Sequence, residues 1–217
     1  MSTVNTSTHK HHFAHHFKDA MHEFVSAKEG IWLFMVTEIL MFGGLFVAYI
    51  IYHSLFPEMF AEGASHLDWK LGFLNTLVLI FSSFTMAYSI FLIQTGKRER
   101  ATWFLLLTIL CGLVFMMVKY FEYSHKFHAG LLPGKFFNHP EAVAENLGLY
   151  FSFYFCMTGL HGIHVVLGML LILWVLIRNI RGDFDSHYFT PVEGVGIFWH
   201  IVDLIWIYLF PILYLIG

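Results

Sequence analysis

Five long apolar runs dominate the chain, at about 30–54, 69–95, 101–124, 147–178 and 194–216. Each exceeds the ~20 residues that an α-helix needs to cross a bilayer. They are too long and too evenly apolar for the amphipathic helices of a water-soluble core. The connections between them are short or moderate, and no internal repeat is visible. The pattern predicts an all-α membrane protein, with a polar tail over 1–28 and five transmembrane helices over 29–217.

The connections carry ordinary punctuation. Pro133-Gly134 and His139-Pro140 are turn signals in the longest one, 125–146. Asn146 is placed to cap the fourth helix, and Pro191 suits the approach to the fifth. Five spans put the termini on opposite sides. Lys10, Lys18, Lys28, Lys97, Arg98, Arg100, Arg178 and Arg181 share the N-terminal side, against Lys70, Lys119, Lys126 and Lys135 opposite. Basic residues favour the cytoplasm, so the N-terminus is expected there. The 55–68 connection, with Glu58 and Glu62 and no Lys or Arg, agrees.

Composition supports this picture. The chain is 58% hydrophobic and only 12% charged, with a mean hydropathy of +0.66. A soluble domain carries about twice that charged share. A formal net charge of −3 argues against a nucleic-acid partner. Cys111 and Cys156 lie in apolar runs and read as buried packing residues, not a disulfide. The tail holds His9, His11, His12, His15, His16 and His22 at irregular spacing, with no Cys beside them. It reads as a solvated or interfacial tail, with metal binding as the less favoured alternative. No cleavable signal peptide is read.

The polar residues inside the spans are the candidates for chemistry, because ionisable groups are costly in a bilayer. Glu38 lies roughly 12 Å into the first span, and His200 and Asp203 roughly 10 and 15 Å into the fifth. His161 and His164 sit near mid-membrane in the fourth, among Gly159, Gly162 and Gly168, residues that let helices approach closely. Depth permits Glu38, His161, His164, His200 and Asp203 to form one node between the first, fourth and fifth spans. Three readings compete: a metal or haem site, a proton relay, and a structural hydrogen-bonding node that binds no metal. The structural node is favoured. Glu122, at a helix end beside Tyr123 and His125, reads as solvated or as a partner contact. Trp32, Trp69, Trp103 and Trp199 read as interfacial anchors.

Five ordered motifs carry a resemblance. They are Thr37-Glu38-Ile39-Leu40-Met41-Phe42 with Phe46-Val47-Ala48-Tyr49, Leu74-Asn75-Thr76-Leu77 with Ser82-Ser83-Phe84-Thr85, and Lys119-Tyr120-Phe121-Glu122-Tyr123. Thr158-Gly159-Leu160-His161-Gly162-Ile163-His164-Val165 and Trp199-His200-Ile201-Val202-Asp203-Leu204-Ile205-Trp206 complete the set. From about residue 27 onward the chain resembles subunit III of the haem-copper oxidases, most like the five-helix bacterial cytochrome c oxidase form. The mitochondrial type has seven helices, and this chain lacks the first two.

The resemblance implies a non-catalytic subunit of a proton-pumping terminal oxidase in the bacterial inner membrane. This chain would have no cofactor of its own, with haem and copper in partner subunits. Its partners would be the catalytic subunit I, a copper-bearing or quinol-type subunit II and, as a further candidate, subunit IV, together with membrane lipids. It would support assembly, stability and proton uptake, and bound phospholipid is a candidate ligand. Glu38 matches the family's carbodiimide-reactive Glu, so it is expected protonated and facing lipid or a cleft. Glu38, Glu122 and Trp199 are the candidate lipid or partner contacts. The helices are expected to divide into a pair (first and second) and a bundle of three. Alternatives are a quinol oxidase subunit III, a homologue associated with nitric oxide reductase, and a stand-alone membrane haem or metal protein using His161, His164 and His200.

Overall fold

A computed structural model describes residues 20–133, 146–184 and 188–216. The tail histidines up to His16, Lys135 and the turn signals at Gly134 and His139-Pro140 lie outside the described residues. Among the described residues, six helices follow in order: α1 (Ala20–Leu55), α2 (Pro57–Ser65), α3 (Trp69–Gln94), α4 (Arg98–His128), α5 (Leu147–Arg181) and α6 (Thr190–Tyr214). All but α2 are long and apolar enough to span a membrane.

The ends of these helices show what the apolar pattern misses. α1 begins at Ala20, so residues 20–28 of the expected tail are helical. α4 reaches from Arg98 to His128, with helical backbone continuing through charged residues at both ends. α1 stops where Pro57 follows, since the residue before proline avoids helical backbone. Proline then opens α2 at a position that needs no N–H donor. α2 is nine residues with one inner face, Met59, Phe60 and Gly63. Gly63 lies so close to the Tyr150 ring that a β-carbon would overlap it. α3 is capped by Asp68, whose carboxylate accepts from the Lys70 N–H at 2.9 Å. Its other end turns on Gly96 at φ +75°, where Lys97 N–H donates to Leu92 C=O at 2.8 Å. Glycine alone takes that backbone without cost, and it allows α4 to start two residues later. Asn146 sits in left-handed backbone and makes no side-chain cap, contrary to its expected role.

The helices do not divide into a pair and a trio. α3 packs on α4 and α6, and α5 packs on α4 and α6, closing a four-helix bundle. α1 touches α5, α6 and α2 but not α3. The reason lies in α3. Its inner face carries Asn75, Ser82, Thr85 and Ser89, all buried, and such groups need protein around them in lipid. Thr85 and Thr108 hydroxyls meet at 2.8 Å, Trp199 Nε1 donates to Ser82 Oγ at 3.1 Å, and Trp206 Nε1 donates to Thr76 Oγ1 at 3.1 Å. α1 has no such stripe, so most of its surface stays open.

Candidate functional site

The expected single node resolves into three separate arrangements. The first joins α1 to α5. His164 Nε2 lies 2.8 Å from Glu38 Oε2, with the two side chains 11% and 14% exposed. His164 Nδ1 is 2.8 Å from the Leu160 carbonyl, which can only accept, so Nδ1 carries a hydrogen. That leaves Nε2 to face the buried Glu38 Oε2, so the two ionisable groups partner each other across α1 and α5 at the edge of the bundle. Phe42 closes one side with its ring edge-on at 5.4 Å.

The second arrangement holds His161 alone. It is fully buried between the Phe115 ring at 5.5 Å and the Trp206 ring at 5.3 Å, and neither ring nitrogen has a hydrogen-bond partner. The third joins α6 to α3. His200 Nδ1 is hydrogen-bonded to Ser83 Oγ. Asp203 lies one turn deeper, buried beside the Ser82 and Ser83 hydroxyls, which are engaged elsewhere. His161 and His164 thus share a helix face only loosely, one turned inward and one toward α1. A haem held by two histidines needs imidazoles that converge. Here the three rings diverge toward Trp206, Glu38 and Ser83, so they do not fit one. Among the described residues no three His, Cys, Asp or Glu side chains gather as a metal site.

Glu122 is not solvated. It accepts from Lys119 at 2.9 Å, Lys126 at 3.1 Å and the Tyr214 hydroxyl at 2.6 Å, inside the end of the bundle. Lys119 also donates to the Tyr154 and Tyr214 hydroxyls and lies 4.8 Å over the Trp206 ring. The spacing 119, 122, 126 marks one stripe of a helix, and that signal is present in the sequence. Trp199 is likewise no interfacial anchor. It is fully buried as a wedge against Gly112 and Gly168, where added β-carbons would come within 3.2 and 2.6 Å of its ring. Glu122 and Trp199 are therefore covered by the chain's own helices, and of the three candidate contacts only Glu38 reaches the surface. Trp32, Trp69 and Trp103 are exposed. Both cysteines are free, but Cys156 is exposed, not buried, because it lies on the outer face of α5. Gly159 and Gly162 also face outward, on a groove of about 560 Å³ between α4 and α5.

The family described as Cytochrome c oxidase subunit III matches residues 6–217. The cytochrome c oxidase subunit 3 of Synechocystis is 34% identical over 188 residues, covering 86% of this chain and 74% of that protein. A probable quinol oxidase subunit 3 of Staphylococcus aureus is 28% identical over 196 residues, covering 90% of this chain and 92% of that one.

Proposed function

The chain belongs to the cytochrome c oxidase subunit III family, and we propose that it serves as the redox-inactive third subunit of a proton-pumping terminal oxidase in a bacterial inner membrane. The family match across nearly the whole chain carries this reading. Catalysis belongs to the complex: haem and copper reside in partner subunits, and this chain supports their assembly, stability and proton uptake. Its N-terminus is cytoplasmic. We favour the cytochrome c type, since the 34% identical relative bears that name. The quinol type stands as the second reading, because the relative so named matches over 92% of its length. Affinity purification through a tag on this chain, from mildly solubilised membranes, should recover a haem-bearing catalytic subunit and an electron-accepting subunit. A two-copper thiolate site in the latter decides for cytochrome c. Recovery of this chain alone, or as a homo-oligomer, contradicts the proposal.

Glu38 paired with His164 gives this reading a residue-level test. The Glu38 carboxyl reaches the surface of the bundle, so a carbodiimide in the membrane should label it. Glu38→Gln offers its amide N–H to His164 Nε2 and keeps the contact. It is expected to assemble normally and to lose the label. Labelling that persists at this position by peptide mass mapping, or failed assembly, contradicts the assigned role.

A further inference from the structure

α1 and α3 both flank α6 but do not touch each other, and this leaves a trough with α6 as its floor. Its N-terminal-side end is a cavity of about 320 Å³ lined by Trp32 of α1, Ile90 of α3, and Glu193, Ile197 and His200 of α6. Along α6 the His200 stripe continues through Leu204, Ile207 and Tyr208, which are 52%, 38% and 62% exposed. These exposures are high for a helix packed against α1, α3 and α5. On α1 the stripe from Trp32 runs through Ile39 and Gly43 to Ile50, and no atom comes within 4 Å of a β-carbon built on Gly43. That length is about 27 Å at 1.5 Å per residue.

We infer that this trough seats one transmembrane helix of a partner subunit, bearing at least one hydrogen-bonding side chain. The inference rests on the oxidase-subunit reading and adds the surface to it. Two observations choose a helix over lipid. First, about 27 Å is nearly the whole ~30 Å hydrocarbon thickness, whereas an acyl chain fills one leaflet. Second, the floor is not purely apolar. His200 lines it with Nδ1 already committed to Ser83, which leaves Nε2 for another partner. Pro211 has no N–H, so it cannot donate to the Ile207 carbonyl one turn earlier. Hydrocarbon can satisfy neither group, while polar side chains on a neighbouring helix can.

The test uses the intact complex in native membranes. Leu204→Trp fills the trough, and Ile163→Trp places the same bulk on the outward face of α5, where Ile163 is 66% exposed. Leu204→Trp should recover about a tenth or less of the wild-type amount of haem-bearing subunit per tagged chain, with this chain still monodisperse and helical, while Ile163→Trp should recover wild-type amounts. A photo-crosslinking side chain at 204 should capture a protein subunit. Wild-type recovery with Leu204→Trp, or lipid adducts alone at 204, overturns the trough and leaves the oxidase reading intact. A wild-type chain that recovers no haem protein fails the oxidase reading itself.

Discussion

Glu122→Ala is expected to destabilise the folded chain by about 3–5 kcal/mol, the cost of breaking a buried ion pair by removing one partner. Glu122 is the carboxylate that both Lys119 and Lys126 touch, at 2.9 and 3.1 Å. Without it, two ammonium groups stay in the bundle end, 6% and 3% exposed, with no other carboxylate in ion-pair contact among the described residues. The rings around Lys119 offer only partial relief, since a cation–π contact contributes about 0.5–2 kcal/mol. The Tyr214 hydroxyl also loses its acceptor. Lys119→Met should be milder, because a one-to-one pair of Glu122 and Lys126 remains. Thermal unfolding in detergent and the amount of chain in membranes read both. A Glu122→Ala chain that melts with wild type, or a Lys119→Met chain that is the worse of the two, contradicts the assigned balance of charge.

Trp199→Ala is expected to cost about as much, about 3–5 kcal/mol, for a different reason. In lipid the helices associate by close packing and hydrogen bonds, because tails are as apolar as leucine. Trp199 supplies both at the centre of the bundle. Its ring fills the space that Gly112 on α4 and Gly168 on α5 leave open, and its Nε1 reaches Ser82 on α3. Truncation opens a cavity at the meeting of four helices. Trp199→Phe should lose less, since most of the ring volume stays. Urea or thermal unfolding that shows Trp199→Ala within 1 kcal/mol of wild type would place this side chain outside the packing centre.

The spans were legible because their signal is simple: long apolar runs have one stable home in a bilayer. Their ends were less so. Arg98-Glu99-Arg100 looks like a loop by hydropathy, yet helical backbone continues through it. The stretch 57–65 has Glu58 and Glu62 and looks like a connection. Only Met59, Phe60 and Gly63 on one face make it a helix against α5. The expected pairing of the first two spans failed for a related reason: the run of Asn, Ser and Thr in α3 demanded enclosure by α4 and α6. Depth along each span can be read by counting residues, which puts Glu38 and His164 near one level. Rotation about each helix axis cannot. That rotation turns His161 inward onto Trp206, sends His200 and Asp203 to α3, and leaves Glu38 with His164 alone. Lys119, Glu122 and Lys126 share a stripe by spacing, but the position of Glu122 near the helix end makes it look like a solvated group.

The central claim is that this chain works within a haem-copper oxidase while holding no redox centre of its own. Native mass spectrometry of the complex purified through this chain tests it in one measurement. Collisional dissociation should release this chain at its apoprotein mass, with all haem on a partner. A chain that leaves the complex carrying haem, or that flies only as itself with no haem-bearing partner, would contradict the claim.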